Sequence, residues 1–189
     1  MKLASILQTV GVLWPVSEIV LALATRTRQR AAAVRDRGSL VLLWVAIGTG
    51  IFTGMVLTNV SATRIPLRSA WLVLVGLLLI FGGLAVRWAA IITLGRFFTP
   101  TVTIHSDHRV IRTGLYRRIR HPSYTGLLLA FLGLAIAFSN WLSLIVIVVP
   151  ITVAILYRIH VEESAMMEGL GQEYADYRRS SKRLVPGVY

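Results

Sequence analysis

The sequence predicts an all-α integral membrane protein with about five transmembrane helices, of which the last two form a helical hairpin. Three observations support this fold class. The 189-residue chain is 56% hydrophobic and has a mean hydropathy of +0.71, which is too apolar for an ordinary soluble domain. Apolar runs of membrane length recur along it, and arginines cluster between alternate runs. The chain has no cysteine, so disulfides, thiolate metal sites and cysteine nucleophiles are excluded.

Apolar segments of membrane length are the basis for the helix count. The five predicted segments are Leu3–Ala24, Ser39–Val60, Ser69–Leu94, Tyr124–Phe138 and Trp141 to about Tyr157. The first three reach the roughly 20 residues that a helix needs to cross about 30 Å of hydrocarbon. The last two are shorter, and only Ser139 and Asn140 separate them, so we expect a tight helical hairpin.

Positive charges predict how the chain crosses the membrane. They concentrate after the first segment, after the third segment and in the tail, whereas the loop after the second segment has only Arg64 and Arg68. The positive-inside rule then places the amino terminus outside and the carboxyl terminus in the cytoplasm. The net charge of +12 fits contact with anionic membrane lipids, and no nucleic-acid-binding motif accompanies it.

Four residues within the apolar segments have a structural explanation that does not require chemistry. Gly50 and Gly54 form a GxxxG pattern, which favours close helix packing either within the protein or in a homodimer. Glu18 and Arg87 both fall roughly 10 Å below the predicted cytoplasmic boundary. Either they pair, because an ionisable group in a membrane helix usually has a partner, or Arg87 extends to the lipid headgroups.

A polar and basic stretch, Gly114–Gly126, leads into the fourth apolar segment and is the strongest candidate for a ligand site. Pro122 is suited to the first turn of a helix, and the preceding His121 is biased towards an extended conformation. The unpaired N–H groups of such a helix start can bind an anion such as a carboxylate. Upstream, Thr101–Ile104 alternates like a short strand.

A second polar cluster follows the fifth apolar segment. If that helix continues past Tyr157, Arg158 and Glu162 lie on one face, and in isolation an intrahelical ion pair would explain them. The predicted hairpin, however, places the start of its first helix, with His121 and Tyr124, beside the end of its second. The two clusters should therefore form one pocket with water on one side and lipid on the other.

An ordered series of motifs resembles the isoprenylcysteine carboxyl methyltransferase family. The motifs are Leu94–Phe98, His108–Ile111, Gly114–Tyr116, Arg120–Gly126, Asn140, Arg158 with Glu162 and Glu163, Gly171–Tyr174 with Tyr177, and Arg183–Pro186. The resemblance covers about Leu94 to Val188, half of the chain. Two departures are His160-Val161, where the family often continues an acidic run, and Met166 in place of the usual leucine.

The resemblance implies an integral membrane methyltransferase that uses S-adenosylmethionine (SAM) without a Rossmann domain, and therefore a cytoplasmic cofactor-binding region. The residues that it assigns to the cofactor are His108, Arg109, Val110, Ile111, Tyr116, His121, Pro122, Ser123, Tyr124 and Glu162. It assigns the substrate to Arg158. Residues 1–68 would form two peripheral helices with a basic loop, and residues 69–189 would form the methyltransferase core.

The resemblance implies methyl transfer to the carboxylate of a lipophilic acceptor, with Arg158, Arg120 and Glu163 as the catalytic set. A carboxylate is already ionised at neutral pH and needs no general base, so Arg158 has only to orient it. Arg120 would assist or hold the cofactor's carboxylate. A lipid amine N-methyltransferase is the first alternative, and it would need a base such as Glu163 or His160. A non-catalytic membrane scaffold is the second.

Overall fold

The structure is a computed structural model that describes positions 9, 14, 18 and 20 and the ranges 33–36, 38–67, 69–98, 102–104 and 110–187. Within these residues the chain is predominantly helical. The helices are α1 (Gly38–Leu57), α2 (Ser69–Leu94), α3 (Pro122–Ala137), α4 (Trp141–Leu170) and α5 (Gln172–Ser180). Short 3-10 turns occur at Ser61–Thr63, Gly95–Phe97 and Gly114–Arg117.

Three of these helices, α1, α2 and α4, are long and apolar enough to cross a membrane, whereas α3 is shorter. The predicted limits of the third segment match α2 at both ends, and α4 continues well beyond the predicted limit near Tyr157. Thr9, Trp14, Glu18 and Val20 are helical, and the rest of the predicted first segment lies outside the described residues. The Trp14 ring lies 4.8 Å from that of Phe131, which places Trp14 against α3.

Helix α1 packs antiparallel against α4, and glycine permits the close approach. A Cβ atom at Gly50 would lie 3.0 Å from the carbonyl oxygen of Val146, and one at Gly54 would lie 2.7 Å from Cδ1 of Ile147. Pro150 has no N–H to bond that Val146 carbonyl, so the helix leaves it available at the contact. Both glycines are buried within the chain, so the homodimer predicted through them is not supported.

Glycines also bring α2 and α3 together, in a contact that was not predicted from the sequence. Gly76 faces Gly133, and Gly83 faces Gly126, each pair across antiparallel helices. A Cβ atom at Gly76 would lie 2.6 Å from the Gly133 carbonyl oxygen. In a membrane, where hydrophobic burial does not drive helix association, such close backbone packing is a main source of stability.

The turn between α3 and α4 is fixed by hydrogen bonds, and it confirms the predicted hairpin. Ser139 adopts a positive φ of 54°, and Asn140 caps α4 by accepting a bond from the Ser143 N–H at 3.1 Å. The Asn140 amide donates to the carbonyl of Leu57 and to the hydroxyl of Thr63. This fully buried side chain therefore joins the hairpin turn to the end of α1.

At the opposite end, a two-stranded antiparallel sheet adds a small β element to the helical fold. Strand β1 (Ala33–Asp36) pairs with β2 (Val102–Ile104), with Val34 opposite Thr103 and an irregularity before Asp36. The strand-like character predicted for Thr101–Ile104 is confirmed for Val102–Ile104. The sheet links the loop before α1 to the loop after α2 at the end where the polar clusters lie.

Candidate functional site

The two polar clusters meet where α3 begins and α4 leaves its apolar part. Helix α3 has 16 residues, about 24 Å, so a point equally far along α4 falls close to Arg158. Here Arg158 Nε donates to the Tyr124 hydroxyl at 2.8 Å, and that hydroxyl donates to Glu162 Oε2 at 2.9 Å. The predicted convergence is confirmed, with Tyr124 bridging the arginine and the glutamate.

Ser39, on the first turn of α1, completes this arrangement. The Nη1 group of Arg158 donates to the Ser39 hydroxyl at 2.9 Å, and both residues are almost fully buried. The resulting hydrogen-bond chain runs from Ser39 through Arg158 and Tyr124 to Glu162. It crosses three helices and holds the Arg158 guanidinium at two of its nitrogens.

Glu163 lies at the centre of a second, adjacent cluster of charges. Its carboxylate is 2.8 Å from Arg120 Nε, 3.3 Å from His121 Nε2 and 3.0 Å from Arg183 Nη2. Arg178 lies at 4.0 Å. Only 4% of the Glu163 side chain is exposed. Both carboxylate oxygens therefore accept hydrogen bonds, one from the segment that leads into α3 and the other from the tail.

The tail, residues 172–187, packs along the segment that leads into α3. Arg120 N–H donates to the Lys182 carbonyl at 2.7 Å, and His121 N–H donates to the Arg183 carbonyl at 3.0 Å. Arg120 Nη1 donates to the carbonyl of Ser181. The Thr125 hydroxyl donates to the Leu184 carbonyl at 2.7 Å. The tail therefore fixes the backbone on both sides of Pro122, and the N–H of His121 is not available to a ligand.

Tyr116 and Tyr177 are buried beside the segment that leads into α3. The Tyr177 hydroxyl donates to the Tyr116 carbonyl at 2.7 Å, and each residue is about 5% exposed or less. Burial, reinforced by the charge of Glu162, raises the pKa of Tyr116 above its ordinary value of 10.0. Burial raises the pKa of Tyr177 to about 12. Both hydroxyls therefore remain protonated, neutral groups at physiological pH.

Glu18 and Arg87 pair, which decides between the two interpretations of these residues. Arg87 Nε lies 2.6 Å from Glu18 Oε1, and Arg87 Nη2 lies 2.6 Å from Glu18 Oε2, so the contact is made at two points. Arg87 Nη1 donates to the Ser123 hydroxyl at 2.8 Å. The pair therefore also joins Glu18 and α2 to Ser123 in the first turn of α3.

The structure brings most of the predicted site residues together. Tyr116, His121, Tyr124, Arg158, Glu162 and Glu163 lie around the start of α3, and Pro122 occupies its first position as predicted. Val110 is joined to the tail, because its N–H donates to Glu173 Oε1 at 3.2 Å. Ile111 follows it, whereas His108 and Arg109 lie outside the described residues. His160 is exposed.

Two contributors were missed from the sequence. Ser39 was assigned only as the start of an apolar segment, and nothing in its local sequence indicates that it contacts Arg158. Arg183 was assigned only to the basic tail and to a family motif. A group of basic residues in the tail matches a solvated surface equally well, and only the pairing of the tail with residues 119–121 brings Arg183 to Glu163.

The fold and this site define a helical integral membrane protein with a dense polar and charged site at one end of its helices. A family model described as the isoprenylcysteine carboxyl methyltransferase (ICMT) family matches residues 74–168, half of the chain. The chain therefore belongs to this family, and the resemblance inferred from its motifs is confirmed.

Several relatives and one solved structure are similar to the chain. It is 32% identical over 125 residues to a probable protein-S-isoprenylcysteine O-methyltransferase of Oryza sativa subsp. indica, covering 65% of each chain. It is 35% identical over 120 residues to protein-S-isoprenylcysteine O-methyltransferase A of Arabidopsis thaliana, covering 62% of this chain and 61% of that one. The matches thus span less than two thirds of these relatives.

A structure of the eukaryotic intramembrane Ras methyltransferase ICMT superposes with a TM-score of 0.60 and 27% sequence identity. The match covers 76% of this chain and 52% of that one. It supports the helical membrane fold for the larger part of the chain, including residues beyond the range matched by the family model.

Proposed function

We propose that the protein transfers a methyl group from SAM to the carboxylate of a lipophilic, isoprenylcysteine-like acceptor at the cytoplasmic membrane surface. The observation that carries this proposal is the bridge from Arg158 through Tyr124 to Glu162. It places an oriented cation and a carboxylate side by side, at the end of an apolar helix. These are complementary to the acceptor anion and to a cationic cofactor, respectively.

Arg158 is the residue that we assign to the acceptor. A guanidinium binds a carboxylate through two parallel N–H groups, and its planar fork fixes the direction from which the carboxylate oxygen approaches. Arg158 is 3% exposed, so the contact forms away from bulk water, where it is stronger. Tyr124 accepts a hydrogen bond from its Nε, which holds one edge of the fork before the acceptor binds.

Glu162 provides a fit for the cofactor, whose ammonium and ribose hydroxyls are hydrogen-bond donors. Its Oε2 accepts from Tyr124, whereas no donor bonds its Oε1 within the part of the chain that the structure describes. We therefore assign Glu162, with Tyr116 and the His121–Tyr124 turn, to cofactor binding. When bound, SAM supplies the methyl group, and the carboxylate oxygen displaces a neutral thioether without any proton transfer.

The surroundings of Glu163 favour carboxyl methylation over amine methylation. Amine methylation requires a base, but both oxygens of Glu163 already accept bonds from arginines. His160, the other candidate, is exposed at the helix surface. The catalytic roles expected for Arg120 and Glu163 stay predictions, and their contacts support a role in holding the tail against the site.

The charge distribution supports the proposed orientation. The site end of the helices carries basic residues in the loop before α3 and in the tail, namely Arg112, Arg117, Arg118, Arg120, Arg178, Arg179, Lys182 and Arg183. At the opposite end, Arg64 is the basic residue within the described range 58–67. By the positive-inside rule, we propose that the site and the carboxyl terminus lie in the cytoplasm and that the amino terminus lies outside.

The test is methyl transfer by the purified full chain in lipid nanodiscs. Radiolabelled SAM is incubated with N-acetyl-S-farnesylcysteine, and in parallel with phosphatidylethanolamine vesicles. The proposal expects a base-labile product, a methyl ester, with the first acceptor. Base-stable label in the phospholipid would instead establish N-methylation, and the absence of SAM binding by calorimetry would establish a scaffold.

Arg158→Ala separates the two binding roles. We expect turnover to fall by at least 100-fold, since both points of a charged, buried contact are lost, while SAM affinity changes less than about threefold. Arg118→Ala is the matched control, because Arg118 is an exposed arginine on the same side of the protein. Full activity in the Arg158→Ala variant would contradict this assignment.

A further inference from the structure

Ser39 lies outside the range that the family model matches, yet its hydroxyl accepts a hydrogen bond from the residue assigned to the acceptor. We propose that Ser39 is a positioning residue for Arg158, which fixes the guanidinium for the incoming carboxylate and so sets the acceptor KM. The inference rests on the proposed function and adds α1 to the substrate site.

The packing of α1 on α4 determines that Ser39 meets Arg158. Gly54, Gly50 and Ser39 on α1 face Ser143, Ile147 and Arg158 on α4, respectively. Each interval along α1 has the same number of residues as the matching interval along α4, about four for the first and about eleven for the second. This is a single antiparallel register kept over about 22 Å of helix. The close contact at the two glycines prevents the helices from sliding, so the Ser39 hydroxyl stays at a fixed height along α4.

Hydroxyl groups bond across this helix pair at both of its ends. At the far end, the Ser143 hydroxyl donates to the Gly54 carbonyl at 2.6 Å. At the site end, the Ser39 hydroxyl accepts from Arg158 Nη1. Only the second bond involves a charged group that the acceptor would contact, so loss of the two hydroxyls should have different consequences.

Ser39 restricts a part of Arg158 that Tyr124 does not. A guanidinium held only at Nε still rotates about its long side chain, and its outer nitrogens sample several positions. A second bond at Nη1 removes that freedom. Because this ordering cost is met before the acceptor arrives, the acceptor binds more tightly than it would to an unrestrained arginine.

The experiment compares two variants of nearly equal volume, Ser39→Thr and Ser39→Val, which differ by a hydroxyl against a methyl group. Methyl transfer from SAM to N-acetyl-S-farnesylcysteine is measured in nanodiscs with the full chain. We expect the valine variant to raise the acceptor KM at least about tenfold relative to the threonine variant, which is the lower end of the range for one hydrogen bond to a charged group. The SAM KM should agree within about twofold. Thr49→Val is the matched control, since the Thr49 hydroxyl bonds only within α1, on an exposed face.

Equal acceptor KM values for the threonine and valine variants would overturn the inference. So would a lower acceptor KM in the valine variant, because Ser39 would then compete with the acceptor for Arg158. If these outcomes occur while Arg158→Ala abolishes turnover, the proposed function stands without the Ser39 role. If the wild-type chain makes no base-labile product, the proposed function itself fails.

Discussion

The Glu18–Arg87 pair allows a sharp prediction about stability inside the membrane. The Glu18→Gln substitution keeps the shape of the side chain but removes its charge. Arg87 would then be left with a guanidinium whose side chain is 10% exposed and which has lost a carboxylate at 2.6 Å from two of its nitrogens. An uncompensated buried charge is costly, so the single substitution should be strongly destabilising.

The expected cost follows from the burial of both partners. Breaking a buried ion pair from one side typically costs about 3–5 kcal/mol. For a chain of this size, each kcal/mol lowers the melting temperature by about 2–4 °C, so the apparent melting temperature should fall by roughly 6–20 °C. Replacing both residues, as Glu18→Gln with Arg87→Met, removes both charges and should recover at least about 2 kcal/mol of that loss.

The assay is thermal unfolding of the purified variants in one detergent, followed by tryptophan fluorescence, as a double-mutant cycle. Arg64→Met serves as the control, because Arg64 is an exposed arginine at the other end of the helices. If the two single losses simply add in the double variant, within about 0.5 kcal/mol, the residues do not interact and the pairing is refuted.

Two further predictions concern the close helix contact and the buried tyrosines. Gly133→Ala should destabilise the protein by about 1–3 kcal/mol, because the added Cβ atom would lie 2.5 Å from the Gly76 carbonyl oxygen. Gly82→Ala is the control, because a Cβ atom there meets no atom within 4 Å and should not change stability. Equal melting temperatures for the two variants would contradict the packing. The raised pKa of Tyr177, about 12, means that the folded state holds this proton more tightly than the unfolded state, whose value is near 10. Its contribution to stability should therefore be complete below pH 10 and be lost as the pH rises towards 12, and Tyr177→Phe should weaken that alkaline dependence in melting curves; an unchanged dependence would contradict it.

The local sequence was sufficient to predict elements whose signal lies within one segment. The first and last residues of α2 were both predicted correctly, because an apolar run interrupted only by Arg87 lies between Arg68 and Arg96. The hairpin was predicted because only Ser139 and Asn140 separate two apolar runs. Pro122 at the first position of α3 followed from its missing N–H.

The convergence of the two polar clusters was also predictable, because a hairpin of known helix length fixes which residues lie at equal height. What the sequence left undecided were choices between partners. Gly50 and Gly54 fit an internal or an intermolecular contact equally well, and only the packing of α1 on α4 made it internal. The pairing of Arg87 with Glu18 depended likewise on the position of Glu18 relative to α2.

The sequence by itself determined a membrane protein of this family, with a polar site made from the start of α3 and the end of α4. Only the tertiary structure decided which distant residues complete that site. Ser39 reaches Arg158 through the register of two helices, and Arg183 reaches Glu163 through the pairing of the tail with the approach to α3. The physical reason is that helical periodicity and composition report what a segment buries, whereas the partner at a given height is set by contacts between backbones far apart in the chain.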